Sequence, residues 1–413
     1  MALQLMDLGL ENVFALEGGY NRWLDEKRPT DVKPAVRKGC VDCHRVATPE
    51  AVRQWEASRH SKREVSCTVC HGDGHLSEED VHLARPVTVD RCIMCHATQS
   101  APFEKGRHAK AWDVMRIVEF GHGRPVKDRA AECGPCHAIG FGEKRGQEQP
   151  KSSQRDWEAA PCTACHGEHR FDPDRARKPE TCKACHQGLG QPQWEMVIDS
   201  PHGGFQSERS RKETTEARSY PTCQTCHMPE GDHLFRTSWG YWGLNPQEGR
   251  EPDRTLLKAL GFKDETGAWT VQGKSLLDLG SFRSATEPFH KDRQRMIGVC
   301  AECHEKSLAE ETLARGDRAL SEANQLMARA LEAAERRGMI GPILIPTGDE
   351  GSLQSRLQEM FFSDRMNGFK GRYHLSPHYS EDLGLKRMES GISEIELSSL
   401  PLLLQEPLAR QIR

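Results

Sequence analysis

The chain has 413 residues, of which 36% are hydrophobic and 29% are charged, and its formal net charge at pH 7 is −4. Ordinary globular domains are closer to half apolar, so this composition predicts either disorder or a core built partly from something other than side chains. The small net charge gives no reason to expect a nucleic-acid partner, and no run of about eighteen apolar residues predicts a membrane span.

The first 30 residues differ from the rest. The stretch NVFALEGGY at 12–20, together with Trp23, resembles the C-terminal end of a rhodanese domain but lacks that family's catalytic cysteine loop. The remnant of an upstream fusion or a misplaced start codon would explain it, and an ordinary strand-turn-helix lead-in explains it equally well. The beginning also lacks the basic and apolar regions of a secretory signal. We therefore expect the natural precursor to begin further upstream.

All sixteen cysteines fall in eight Cys-x-x-Cys-His motifs. Disulfide frameworks rarely place every cysteine three residues from another, and zinc ribbons do not require a histidine after each second cysteine. Cys-x-x-Cys-His is the attachment signature of haem c, so the sequence predicts eight covalently attached haems. The motifs are Cys40/Cys43/His44, Cys67/Cys70/His71, Cys92/Cys95/His96, Cys133/Cys136/His137, Cys162/Cys165/His166, Cys182/Cys185/His186, Cys223/Cys226/His227 and Cys300/Cys303/His304.

Each motif histidine is expected to bind its haem iron from one side, which leaves a sixth position to fill. A second histidine there gives an electron-transfer haem, whereas an open position lets a substrate bind. The chain has 19 histidines; eight belong to motifs, so eleven remain, enough either for eight bis-histidine haems or for seven with one open site. The predicted second ligands are His60, His75, His108, His122, His169, His202 and His233. His82 and His378 are the expected bystanders.

Three regions follow from this pattern: the lead-in at 1–30, a haem domain at 31–305 and a helical region at 306–413. The first seven motifs are closely spaced, which leaves room for short helices and loops. The insert at 234–299 contains many Gly and Pro residues, and this predicts loop with little helix. The predicted fold class is therefore mainly α, with little regular structure among the haems and a C-terminal helical segment.

Within the C-terminal region, residues 305–338 are predicted to form a helix that stops at Gly338, and 351–363 a second one. A stripe of small or apolar residues follows the first of these helices. The stripe could join subunits, or it could pack within the chain. Its members are Leu313, Gly316, Leu320, Ala323, Met327, Ala330 and Ala334.

Several stretches between the motifs resemble the hydroxylamine oxidoreductase-like octahaem cytochromes c. They are WEASRH at 55–60, FEKGRHAKAW at 103–112, ARKPETC at 176–182, QWEM at 193–196, SPHG at 200–203, PTCQTCHM at 221–228 and YHLSPHY at 373–379. The resemblance implies a mainly helical fold, closely stacked haems and a homotrimer. It also implies that the fourth haem, on Cys133, Cys136 and His137, is catalytic and has no second protein ligand.

Two departures from the family pattern stand out. Gly190-Gln191 occupies the place where the family usually carries an Asp-His pair serving the catalytic pocket, and glutamine cannot supply a proton. Beyond Tyr379, the sequence SEDLG replaces an aromatic-rich stretch. Tyr373 and Tyr379 could form the haem cross-link that the resemblance associates with oxidative members, or they could pack at helix ends.

The resemblance implies an oxidoreductase of small nitrogen compounds, with the reduction of hydroxylamine or nitrite favoured, and haem c attachment predicts an exported, most simply periplasmic, location. The partners of this protein would be a periplasmic electron donor or acceptor, such as another cytochrome or a quinol-linked protein. The alternative is an electron-transfer cytochrome with no substrate chemistry, which Gly190-Gln191 favours. A weaker third hypothesis couples the haems to sulfur chemistry through an upstream rhodanese-like part.

Overall fold

The structure is a computed structural model that describes residues 38–118, 134, 136–137, 162–203, 221–235, 240–245, 251–345 and 351–397, apart from 86, 88, 189 and 340. The lead-in at 1–30 lies outside the described residues. The chain divides into two compact units. The first comprises Met1–Trp112, Arg129–Thr181 and Asp232–Phe235, and the second comprises Asp113–Asp128, Cys182–Gly231 and Arg236–Arg413.

The described residues are mainly helical, and the predicted fold class is confirmed. Up to residue 231 the helices are short: α1 Lys38–Ala47, α2 Pro49–Ala57, α3 Arg59–Lys62, α4 Cys67–His71, α5 Val89–Ile93, α6 Ala97–Lys105, α7 Arg107–Ile117, α8 Thr163–His166, α9 Pro173–Ala176, α10 Pro179–Lys183, α11 Gln193–Ile198 and α12 Cys223–His227. Further along lie α13 Asp253–Ala259, α14 Val271–Asp278, α15 Glu287–Ala301, α16 Lys306–Glu335, α17 Leu353–Glu359, α18 Arg365–Tyr373 and α19 Lys386–Leu397. In this described part, no helix is long and apolar enough to cross a membrane.

Several motifs form a single helical turn of their own. Helix α4 runs from Cys67 to His71 and ends at Gly72, whose φ is 74°. Helix α8 likewise ends at Gly167, with φ 75°. A left-handed residue ends a helix at little cost only when it is glycine. The turn between Cys67 and His71 puts both side chains on one helix face, as a shared cofactor requires.

The core of the second unit forms around the long helix α16. Gly316, Leu320, Ala323, Met327, Ala330 and Ala334 are all buried, and Leu313 is partly exposed. Helix α16 packs against α13, α18 and α19, so the stripe packs within the chain. Small residues allow this close approach: an added Cβ on Gly316 would lie 2.3 Å from the ring of Tyr373.

A buried polar network ties α16 to its neighbours. Asn324 donates to Asp253 at 2.8 Å, and the Nε of Arg365 donates to Asn324 at 2.7 Å. Arg365 also donates to the carbonyl of Trp242 at 2.7 Å. Burial lowers the pKa of Arg365 to about 9. A buried charge is tolerated when it is hydrogen-bonded and close to an opposite charge; here Asn324 and the backbone carbonyl accept the hydrogen bonds, and the Asp253 carboxylate on the far side of Asn324 supplies the opposite charge.

The prediction of loop with little helix for the insert was wrong over 251–299, where α13, α14 and most of α15 lie. The Gly and Pro residues lie mainly at helix boundaries: Pro252 precedes α13, and Gly280 follows α14 with φ 69°. Thr270 caps α14 by accepting from the Gly273 N–H. Breakers at boundaries end helices without disrupting them, so their density is a poor guide to helix content.

The two predicted C-terminal helices are present. Helix α16 covers Lys306–Glu335 within the predicted 305–338. The second helix begins at Leu353. It continues beyond the predicted end at 363, because a π-helical turn at Met360–Asp364 leads directly into α18. A second π-helical segment, His378–Leu385, leads into α19. The three predicted domain boundaries stay a prediction.

We expect Gly316→Ala to lower the unfolding free energy by about 1–3 kcal/mol, as overpacking typically does. The new methyl would meet the ring of Tyr373, whose hydroxyl donates to Asp317 at 2.5 Å and cannot move without losing that bond. Denaturant unfolding of the holoprotein would measure the effect. Gly298→Ala on α15 is the matched control, since nothing lies within 4 Å of its added Cβ. Equal stability of the two variants would contradict this packing.

Candidate haem sites

The cysteines of the motifs differ in how far they are exposed. Among those that the structure describes, Cys43, Cys95, Cys136 and Cys303 are exposed. The partly buried ones are Cys40, Cys67, Cys70, Cys92, Cys162, Cys165, Cys182, Cys185, Cys223, Cys226 and Cys300. Every described motif cysteine is therefore at least partly exposed on the polypeptide, where a covalently attached group can reach it.

The sixth and eighth motifs depart from the arrangement in α4 and α12, where both cysteines share one helix. Helices α10 and α15 each end two residues before the second cysteine, Cys185 and Cys303 respectively. A turn continues the chain: the N–H of Cys185 donates to the Cys182 carbonyl, and that of Cys303 to the Cys300 carbonyl, both at 3.2 Å. These bonds span three residues, as in a 3₁₀ turn, and keep the two cysteines of each motif close together. Haem attachment at Cys185 and Cys303 stays a prediction.

Among the described residues, six motif histidines each lie opposite a second histidine. The ring centroids are separated by 6.0 Å for His44–His75, 6.1 Å for His71–His169, 5.9 Å for His96–His60, 6.2 Å for His166–His233, 6.3 Å for His227–His374 and 6.0 Å for His304–His202. The pairs of the first, second, third and fifth motifs belong to the first unit. Those of the seventh and eighth motifs belong to the second.

This spacing fits an iron between the rings. An imidazole nitrogen binds a metal at about 2 Å, so two opposed ligands place their ring centroids roughly 6 Å apart. The interplanar angles range from 13° to 69° while the spacing hardly changes. Rotation about a shared axis through a metal alters the angle but not the centroid distance, because each ring plane contains that axis. The arrangement therefore fits bis-histidine haem.

Local structure presents these second histidines. His60 lies on α3, which Ser58 caps by accepting from the Ser61 N–H at 3.1 Å. Phe171 packs edge-on against the His60 ring at 4.9 Å. His169 has a left-handed backbone with φ 55°, just after Gly167, a conformation uncommon for a residue with a side chain. This turn directs His169 toward His71 within the first unit.

Burial lowers the pKa of seven of the opposed rings and so favours their neutral form, in which imidazole binds a metal. In the second unit, burial and the neighbouring His374 lower the pKa of His227 to about 4, and burial lowers the pKa of His374 too. Burial likewise lowers the pKa of His60, His71, His96, His166 and His202.

Several of these rings have a hydrogen-bond partner at Nδ1, which leaves Nε2 to face the opposed ring. The Nδ1 of His44 lies 2.8 Å from the Thr48 hydroxyl, and that of His374 lies 2.8 Å from the Lys370 carbonyl. The Nδ1 of His75 lies 2.9 Å from the Asp80 carboxylate. Backbone N–H groups, that of Ser77 foremost, hold the pKa of Asp80 at about 2.

Five of the seven predicted second ligands lie in these pairs: His60, His75, His169, His202 and His233. The ring of His108 packs 4.5 Å from that of Phe235, and His122 lies outside the described residues. Their roles as iron ligands stay a prediction.

His374 is the residue that the sequence prediction missed. It was counted among the eleven remaining histidines and lies in the segment 373–379, but nothing in that segment linked it to His227. The two expected bystanders differ from it: His82 is exposed, and His378 is exposed with its Nδ1 3.2 Å from Asp382.

The fourth motif is described only in part, because Cys133 lies outside the described residues. Cys136 is exposed, and His137 is partly buried. Burial lowers the pKa of His137. Within the described part of the chain, no histidine ring lies opposite His137.

Gly190-Gln191 lies beside the sixth motif. Gly190 is exposed with φ 83°, and the Gln191 side-chain oxygen accepts from Gln193 at 3.0 Å. The oxygen of Gln193 lies 3.4 Å from the Nδ1 of His186. The amides thus form a chain that ends on the ring of the sixth motif histidine.

Tyr373 is held within the second unit. Its hydroxyl donates to Asp317 at 2.5 Å, its ring covers Gly316, and burial raises its pKa. Tyr379 is half-buried beside His378. The packing interpretation accounts for the contacts of Tyr373.

Two families match the chain. Residues 62–253 match the family described as seven times multi-haem cytochrome CxxCH, and residues 20–72 match cytochrome c554 and c-prime. A probable nitrite reductase-hydroxylamine oxidoreductase fusion protein of Kuenenia stuttgartiensis is 24% identical over 441 residues, covering 83% of this chain and 49% of the relative. The chain thus spans about half the length of that relative.

Two solved structures share the fold. A reducing HAO-like protein complex of Kuenenia stuttgartiensis is 21% identical with a TM-score of 0.64, covering 94% of this chain and 90% of that one. A hypothetical multiheme protein is 16% identical with a TM-score of 0.61, covering 91% and 96%.

The motifs, the opposed rings and these matches define a multihaem c-type cytochrome, with haem c attached covalently at Cys-x-x-Cys-His motifs. More particularly, the chain is homologous to hydroxylamine oxidoreductase- and nitrite reductase-like proteins and has their fold. The rhodanese-like interpretation of residues 1–30 stays a prediction.

We expect His374→Ala to convert one haem from low-spin to high-spin, because the ring opposite His227 is removed. Electron paramagnetic resonance of the oxidised protein would quantify the new high-spin signal at about one haem equivalent, since an open sixth position changes the spin state of only that iron. His378→Ala is the matched control, four residues away on an exposed ring. An unchanged spectrum in His374→Ala would refute the pairing.

Proposed function

We propose that the chain is an exported octahaem cytochrome c that reduces small nitrogen compounds, hydroxylamine or nitrite, with electrons relayed along its haems. The six opposed histidine pairs carry this proposal. An iron with two histidine ligands is coordinatively saturated and suited to electron transfer. With six irons occupied in this way, substrate chemistry would fall to one of the remaining motifs.

The fourth motif is the proposed catalytic site, with haem held by Cys133, Cys136 and His137. This choice is compatible with the six opposed pairs, which among the described residues include neither His137 nor His186. The resemblance to the hydroxylamine oxidoreductase-like family supports it. Haem there would supply an open iron position for the nitrogen compound. The protein's own part would be to hold His137 neutral through burial.

Two observations support the reductive direction. One solved relative is described as a reducing HAO-like protein complex, and the curated relative as a probable nitrite reductase-hydroxylamine oxidoreductase fusion. The engagement of Tyr373 with Asp317 and Gly316 also removes one candidate for the tyrosine cross-link of the oxidative class. Gln191 lies in the amide chain to His186, so a proton donor for the fourth motif would have to come from elsewhere.

The proposed partners are an electron-donating cytochrome or quinol-linked protein and further protein subunits. Description of one relative as a complex supports assembly with other proteins, and a homotrimer is proposed from the family resemblance. Attachment of haem c supports an exported, most simply periplasmic, location. The polar composition supports a holoprotein whose apolar interior is completed by the haems.

The second candidate is an electron-transfer cytochrome without substrate chemistry. Gly190-Gln191 favours it, because the acid-base pair of the family is replaced by a residue that cannot donate a proton at neutral pH. In that case the iron of the fourth motif would also have two protein ligands.

The test combines spin state with turnover. We expect the oxidised holoprotein to show one high-spin haem that binds cyanide, and to consume hydroxylamine or nitrite with a reduced viologen as donor. His137→Ala should abolish turnover while the low-spin signals of the other haems persist, because it alters only the fourth motif.

Eight low-spin bis-histidine haems without turnover would overturn the enzymatic proposal in favour of the second candidate. Turnover that survives in His137→Ala would instead move the active site to another motif.

A further inference from the structure

The histidine that lies opposite the histidine of the first motif has an acidic hydrogen-bond partner. His75, which lies opposite His44, directs its Nδ1 at the Asp80 carboxylate, 2.9 Å away. The two side chains are 24% and 28% exposed, so the bond is partly shielded from water. A carboxylate at this distance fixes both the tautomer and the orientation of the ring.

The local backbone positions Asp80 independently of any cofactor. Its Oδ1 accepts from the backbone N–H of Leu76 at 2.9 Å and from that of Ser77 at 2.7 Å, as well as from His75. Aspartate commonly bonds nearby backbone N–H groups in this way. The segment 75–80 is therefore a closed turn that holds carboxylate and imidazole together.

Three other rings in the haem sites have a neutral partner at Nδ1. His44, across the same site, has the Thr48 hydroxyl at 2.8 Å, and His374 has the Lys370 carbonyl at 2.8 Å. The ring of the sixth motif histidine has a side-chain amide oxygen at 3.4 Å. His75 differs from these rings because its partner carries a full negative charge.

We propose that Asp80 is a positioning residue that lowers the reduction potential of the haem attached at Cys40 and Cys43. This inference rests on the proposed function in so far as His44 and His75 both bind that iron. An Nδ1–H donated to a carboxylate leaves more electron density on the ring, which makes Nε2 a stronger donor. A stronger donor and a nearby negative charge both favour the ferric over the ferrous iron, and second-shell hydrogen bonding is a recognised control on haem potential.

A lowered reduction potential at the haem of the first motif affects the direction of electron flow. A haem of lowered potential passes electrons readily to haems of higher potential. The haem of the first motif is therefore suited to accept electrons from a strongly reducing partner and to pass them to the other haems of the chain. Asp80 would thus help to make that haem a donor site within the protein.

The test is Asp80→Asn in the holoprotein. The asparagine oxygen can still accept from Leu76, Ser77 and His75, so the turn is kept and only the charge is removed. We expect the equilibrium constant for one-electron reduction of that haem to increase about tenfold, a rise of about 59 mV in its midpoint potential. A redox titration followed by electron paramagnetic resonance would measure it.

Two further variants assign the signal and provide the control for the redox titration of Asp80→Asn. His75→Met identifies the signal, because methionine as an axial ligand changes the spectrum and raises the potential of that haem alone. Asp382→Asn is the matched control, since Asp382 forms a similar pair with the exposed His378, which lies opposite no motif histidine among the described residues. We expect the control to leave every midpoint potential unchanged.

A shift in Asp80→Asn no larger than that in Asp382→Asn, with the haem still low-spin, would overturn the inference. Failure of the proposed function would be seen in other measurements. The pyridine haemochrome assay would give fewer than eight haems, or the protein would not turn over hydroxylamine or nitrite. A changed potential without turnover would uphold the role of Asp80 in the electron-transfer alternative.

Discussion

The opposed imidazole rings, held about 6 Å apart, are the constraint on which the rest of the structure depends. Each pair joins parts of the chain that are separated in sequence, most widely His227 with His374 and His202 with His304. Closing such long loops costs chain entropy, and metal coordination recovers free energy that can offset it. The short helices and glycine-ended turns of the first unit follow from the need to bring both rings to one iron.

The second unit also has a core of packed side chains. Helix α16 buries a stripe of small and apolar residues against α13, α18 and α19. The Arg365–Asn324–Asp253 network then fixes how these helices meet. Helix α18 ends at Tyr373, so the core also positions His374, which follows directly. A packed helix thus supplies a rigid support for the ring that lies opposite His227.

Local pattern was sufficient to predict the cofactor attachment, the helical fold and the two C-terminal helices, because these depend on residues close in sequence. It was insufficient for His374, because the pairing of a second histidine depends on which distant segments meet. The insert misled for a different reason: some of its Gly and Pro residues, such as Pro252 and Gly280, mark helix boundaries, and others, such as Gly298, lie within a helix without ending it. The hydrogen-bonded chain from Gln191 through Gln193 to His186 likewise emerged only from the folded chain.

Counting the axial ligands in the oxidised holoprotein shows whether the opposed histidine pairs bind haem iron. Near-infrared magnetic circular dichroism separates bis-histidine haems from those with other ligands, and integration against total haem gives their number. Binding of one iron by each opposed pair requires at least six bis-histidine haems, and we expect this number. Fewer than six in a fully loaded protein would contradict it.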